Sequence, residues 1–304
     1  MTQTGSQRPL AGDRAVDTRR MLAVEGPAGH LAGWIQDGTD ESAVPLLFLH
    51  PINTRGAIWF DVVDLLPADR TYLMPDLRAH GDSAPCGDFG LDEWLSDIEA
   101  VIDSHGEGPL HVVGGSLGGS LAVCLAARRP QQVVSITGLG SSLNFDGADA
   151  VAVIDLFDRY GIPGTFEKVF PEITFGPYAD RALIDHGIRL SNPNDVETVK
   201  RVWSATVFSD STDRAADVAC PALVVTGEFD GTCTPALGLE MARRLKTTQI
   251  LLPDIGHMPM LEDPRRVVDL LTPHFAQAEA LFADATLSAL PHVPPNETGR
   301  TDDR

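Results

Sequence analysis

The stretch 111–120, HVVGGSLGGS, closes an apolar run with four glycines wrapped around Ser116 and Leu117. Glycines after a strand can cradle phosphate, but a dinucleotide fingerprint needs G-x-G-x-x-G and a P-loop needs a lysine behind its last glycine. Neither pattern is present. The residues instead fit G-x-S-x-G across 114–118, a sharp strand-to-helix turn that lifts the serine Oγ above the end of a sheet. Flanking glycines let strand and helix approach where a Cβ would collide. LHVV is the predicted strand and LGGSLAVCLAARR the predicted helix.

A small-residue turn also arises for packing reasons, so the rest of the chain must supply a base and an acid. Its 304 residues allow one large domain or two small ones, and the apolar fraction is ordinary for a packed core. A formal net charge of -20 works against nucleic acid or an anionic membrane as partner, because all three carry the same sign. Cys86, Cys124, Cys220 and Cys233 show neither C-x-x-C spacing nor a histidine pairing suited to zinc. Reduced thiols and a cytoplasmic setting are therefore expected. The first twenty residues lack a signal-peptide apolar core, and no run reaches membrane-span length.

Between an N-terminal segment, 1–19, and a tail, 286–304, both expected to be mobile, short apolar runs alternate with helical periodicity. That alternation predicts an α/β fold, a mostly parallel eight-stranded sheet with helices on both faces. The predicted strands are RMLAVEG, LAGWIQD, VPLLFLH, TYLMPDL, LHVVGG, VVSITGLG, ALVVTGE and TQILLPD. Asp92 is placed to cap one helix and Pro264 to occupy the first turn of the last. From 144 to 212 the alternation breaks into helices without an evident strand, which reads as an inserted cap between core segments 20–143 and 213–285. Ligands in such sheets bind beyond the carboxyl ends of the strands, so the cap would enclose the pocket.

A serine hydroxyl needs a base to take its proton, and the base needs a third group to hold its tautomer. With an elbow serine, the chain order is serine, acid, histidine. Of the histidines after Ser116, His186 falls in the cap, His274 in the final helix and His292 in the tail. His257, in the loop DIGHMPMLEDP, is the expected base. Asp230, in the loop that ends ALVVTGEFD, is the expected acid; Glu228, Asp254 and Asp146 are the competitors weighed beside it. The oxyanion needs two backbone N–H donors. Leu117 follows the nucleophile, and Ile52 is the first residue after His50 able to donate, because Pro51 has no N–H.

With these residues assembled, 20–285 resembles the α/β-hydrolase superfamily. The motifs are LFLHPINTRGAIW, MPDLRAHGDS, VVGGSLGGS, PALVVTGEFD and DIGHMPMLEDP, in that order. The elbow, cap position and PALVVTGEFDGTCTP are similar to the 3-oxoadipate enol-lactonase and esterase group. Two departures stand out: Pro51 and Ala79 occupy positions where relatives often carry glycine. The resemblance implies hydrolysis of a small-molecule carboxylic ester or enol-lactone through an acyl-enzyme on Ser116, His257 and Asp230. No metal or organic cofactor is called for. Carbon–carbon bond hydrolysis of a diketone, acyl transfer to another acceptor such as peroxide, and a ligand-binding receptor on the same fold are the rival readings. His80 reads as structural. Trp203 and Phe208 are candidate pocket residues, and Arg189 a candidate partner for a substrate carboxylate; the oligomeric state is left open.

Overall fold

The computed structural model describes residues 19–145 and 150–289. Eight strands form one sheet: β1 (Arg20–Gly26), β2 (Gly29–Gln36), β3 (Leu46–Leu49), β4 (Tyr72–Pro75), β5 (Leu110–Gly115), β6 (Val133–Leu139), β7 (Ala222–Gly227) and β8 (Gln249–Leu252). Their spatial order is β1-β2-β4-β3-β5-β6-β7-β8. The β1/β2 and β2/β4 pairs are antiparallel, and every later neighbour is parallel. Each predicted strand is present: β1 and β5 match residue for residue, β2 begins two residues earlier at Gly29 and ends one residue sooner, and the other five are shorter by a residue or more.

The helices are α1 (Phe60–Val63), α2 (Leu91–Asp103), α3 (Leu117–Arg128), α4 (Ala150–Val169), α5 (Arg181–Arg189), α6 (Val196–Val207), α7 (Pro235–Arg244), α8 (Pro259–Glu262) and α9 (Pro264–Ala289). Strands β3, β5 and β6 are buried along their whole length, as continuous apolar runs require when helices cover both faces. One face packs α2, α3 and α7 through Trp94, Leu121 and Met241. The other packs α1, α8 and α9 through Val62, Leu261 and Leu271. Each such fully buried aliphatic side chain contributes roughly 1.5–3 kcal/mol.

Two expectations about helix ends are corrected. Gly90, not Asp92, stands at the N-cap of α2 and gives no side-chain cap; Asp92 lies in the first turn, where its charge suits the helix dipole, and bonds Arg128 and Arg214. Helix α9 continues to Ala289, past the point at which the tail was expected to begin. Pro264 does open α9. Between β6 and β7 lie α4, α5 and α6, with α4 broken at Gly161 (φ 64°), two residues before Pro163.

The MPDLRAHGDS turn follows β4 and is built from buried polar bonds. Asp76 accepts from Gly56 N–H at 2.7 Å and Asp82 N–H at 3.0 Å. Arg78 grips the α2 carboxylate Asp97 with two bonds of 2.8 Å, both side chains being buried. Ala79 holds the left-handed conformation, φ 61°, where glycine is unstrained and alanine is not. Its carbonyl is taken by the amides of Asn192 and Asn194 at 2.7 and 2.9 Å. His80 is fully buried and donates from Nδ1 to the Arg78 carbonyl, a structural place in keeping with its reading from sequence.

His50, His80 and His111 are all buried, and burial lowers their pKa values to about 4, 3 and 4. For each, the folded value lies below the ordinary 6.5, so between those limits the unfolded chain binds more protons. Stability is therefore full above pH 6.5 and falls as the pH drops toward 4. For one such histidine, 6.5 to about 4 corresponds to roughly 3 kcal/mol. Thermal unfolding followed across pH 4–8 should show a plateau above 6.5 and a steep decline below it; a flat profile through pH 5 contradicts neutral burial.

Candidate active site

Ser116 stands between β5 and α3 with φ 51° and ψ -117°, outside the ordinary wells of an L-residue and costing of order 1–3 kcal/mol. The local crowding explains why glycine flanks it. A Cβ on Gly114 would strike the Gly118 carbonyl, and one on Gly118 would strike the Leu49 carbonyl of β3. Only bare backbone lets α3 begin against both strands.

Asp230 and His257 are brought together from the ends of β7 and β8. His257 Nδ1 lies 2.9 and 3.0 Å from the two carboxylate oxygens of Asp230, and both side chains are buried. Asp230 Oδ1 also accepts the N–H groups of Thr232 (2.9 Å) and Cys233 (2.8 Å), which fix its plane. The carboxylate bond makes Nδ1 the protonated nitrogen, leaving Nε2 as the nitrogen with a free lone pair. Of the competing acids, Glu228 is exposed and accepts Asp254 N–H. Asp254 is an exposed turn residue with φ 67°. Asp146 lies outside the described residues, as does His292.

The His257 loop has an anchor that spacing did not disclose. Glu262 accepts the N–H groups of Gly256 (3.0 Å), Met258 (3.2 Å) and Gly176 (2.7 Å). One carboxylate thus ties both neighbours of His257 to the segment between β6 and β7. Burial raises its pKa, against the opposing pull of those N–H donors. Acid, loop and spacing gave no cue, because Glu262 reads as an ordinary first-turn helix residue.

Loop 50–55 is oriented from within. Leu77 N–H donates to His50 Nε2 at 2.9 Å, so Nδ1 carries the proton and donates to the Pro51 carbonyl at 2.7 Å. Thr54 Oγ1 donates to the same carbonyl, also at 2.7 Å. In a trans peptide the C=O and the following N–H point opposite ways. Holding the Pro51 oxygen inward therefore turns the Ile52 N–H away from it, on a segment that lines the cavity. Among the described residues no acceptor takes the N–H of Ile52 or Leu117. Asn53, with φ 56°, gives its carbonyl to Asn192 N–H at 2.8 Å, and Arg55 donates to the Ser191 carbonyl at 3.0 Å. Segment 191–194 thereby clamps this loop, a contact invisible in sequence because its partners lie more than a hundred residues apart.

Ser116, His257, Ile52 and Pro51 line one cavity of about 490 Å³. Among the described residues the buried Ser116 Oγ makes no hydrogen bond to His257 or to any other group, although the Cys233 thiol lies close enough to feel the hydroxyl. Trp203 lines the cavity, as the sequence suggested. Phe208 and Arg189 do not: Phe208, at the end of α6, is 81% exposed, and Arg189 is exposed in the last turn of α5. Among the described residues no His, Cys, Asp and Glu side chains cluster to hold a metal ion, and no helix is long and apolar enough to cross a membrane.

Known proteins resemble the chain in sequence and in fold. Lipase LipV of Mycobacterium tuberculosis is 36% identical over 110 residues, 36% of this chain and 42% of the lipase, so the match spans less than half of that protein. The 3-oxoadipate enol-lactonase 1 of Acinetobacter baylyi is 22% identical over 78% of this chain and 91% of its own. Among solved structures, an enol-lactonase from Burkholderia xenovorans superposes with a TM-score of 0.76 at 21% identity, covering 84% of this chain and all of the other. An esterase from Thermogutta terrifontis gives 0.73 at 22% identity, covering 85% and 99%. The family model for the alpha/beta hydrolase family matches residues 46–270, from β3 into the first turns of α9, and the chain belongs to that family.

Proposed function

We propose that the chain is a serine hydrolase that cleaves a carboxylic ester or lactone through an acyl-enzyme. The observation that carries this reading is that Ser116, strained at an elbow, lines the same cavity as His257, whose Nδ1 is held by Asp230. In this mechanism, rotation about the serine Cα–Cβ bond must bring Oγ to His257 Nε2. His257 takes the Oγ proton as Oγ attacks the carbonyl carbon, and the N–H groups of Ile52 and Leu117 receive the oxyanion. The start of α3 adds its positive dipole end there. His257 then protonates the leaving alcohol or enolate. Water, deprotonated by the same nitrogen, attacks the acyl-enzyme and frees the acid and Ser116. Segment 144–212 acts as the cap: Phe157, Phe166 and Trp203 come from α4 and α6 to the cavity wall.

A shared acyl-enzyme has a consequence that direct attack by water lacks. Two esters with one acyl group and different leaving groups, hydrolysed in aqueous methanol, should give one common ratio of methyl ester to acid. A ratio that changes with the leaving group contradicts the covalent intermediate.

A further inference from the structure

We infer that the cavity takes an ester whose acyl half is uncharged and largely apolar and carries an oxygen acceptor, rather than a lactone or ester bearing a carboxylate. The inference rests on the serine-hydrolase reading and adds the chemistry of the substrate to it. At about 490 Å³ the cavity has the size of a small-molecule site. Its wall is mainly apolar, with Phe145, Val153, Phe157, Phe166 and Leu237 prominent, and among the described residues no Lys, Arg, Asp or Glu side chain lines it. An anionic acyl group would lose its hydration there and find no cation. The net charge of -20 adds long-range repulsion of anions.

The polar groups of the wall narrow the class further. Thr165 and Thr206 spend their hydroxyls on the carbonyls of Gly161 and Val202. Among the described wall residues, two buried donors besides the Ser116 hydroxyl have no acceptor: Asn53 Nδ2 and Trp203 Nε1. A buried donor left unmade is costly, so such groups mark places where a ligand completes the bond. An indole N–H donates only, and the Asn53 Oδ1 already accepts from Asn192 at 3.4 Å. What is missing on the ligand side is thus an acceptor, a ketone or ether oxygen. The proposed substrate is an oxo- or alkoxyalkanoyl ester of moderate length.

Four p-nitrophenyl esters of matched length test this on the purified full chain: the hexanoate, the 5-oxohexanoate, the 4-methoxybutanoate, and the monoester of adipic acid, anionic at pH 7.5. The hexanoate should exceed the adipate monoester at least 100-fold in kcat/KM, and one oxygenated ester should match or exceed the hexanoate. Trp203→Phe keeps the ring and removes the donor, so it should lower the ratio of oxygenated to plain ester about 3- to 10-fold, the worth of one hydrogen bond. An adipate monoester as good as the hexanoate overturns the uncharged class, and an unchanged ratio in Trp203→Phe overturns the acceptor. Failure to turn over any ester removes the serine-hydrolase reading itself.

Discussion

Ser116→Ala should lower kcat on an activated ester by about 10⁶-fold, leaving only the rate that binding and oxyanion donors sustain. The same variant should fold as well as the parent. Among the described residues Ser116 Oγ is buried without a hydrogen bond and the nearby Cys233 thiol keeps its contact with Ser142, so removing the hydroxyl strands no other polar group and relieves an unmet one. Urea unfolding should place the variant within about 1 kcal/mol of the parent or above it. Asp230→Asn should cost about 10⁴ in kcat, because the amide no longer selects the tautomer that leaves Nε2 free. The pairing of large kinetic loss with intact stability separates a catalytic serine from a structural one; loss of both together contradicts the role.

The second large effect is on stability, and it lies away from the cavity. Asp97→Ala removes the carboxylate that holds Arg78 by two bonds and leaves a guanidinium that is buried and deprived of its counter-charge. Removing one partner of such a pair costs about 3–5 kcal/mol. Arg78 cannot escape by losing its proton, because a guanidinium keeps its charge in any folded protein. Asp97→Asn keeps acceptor and shape and should cost less. The midpoint of urea unfolding reads both variants; a change under 1 kcal/mol in Asp97→Ala contradicts the account of this turn. The loss should extend to loop 50–55, because Leu77 N–H, in the same turn, sets the tautomer of His50.

The sheet and the elbow were legible because their signals are local. A buried parallel strand must be apolar on both sides, and a turn as tight as 114–118 admits few residues other than glycine. Asp230 and His257 followed from chain order, since each lies where a strand ends. The signals that failed share a different property. Asp92 looked like a cap because acids favour helix starts, but nothing local foretold that Arg128 and Arg214 would claim its carboxylate. Phe208 and Trp203 both looked like wall residues; which way a helix faces is set by what it packs against, and α6 turns Trp203 to the cavity and Phe208 to solvent. Glu262, Asn192 and Asn194 have common identities, and only long-range contacts show that they hold the two loops of the site.

Covalent labelling by a fluorophosphonate, followed by peptide mapping, tests the central claim most directly. The claim is that the hydroxyl at 116 is made nucleophilic by the imidazole that Asp230 orients. The predicted result is a single phosphonyl adduct on the peptide that contains Ser116, formed with loss of ester turnover and absent when His257 is replaced by Gln. An adduct on another residue that abolishes turnover, or full labelling of Ser116 in His257→Gln, would contradict it.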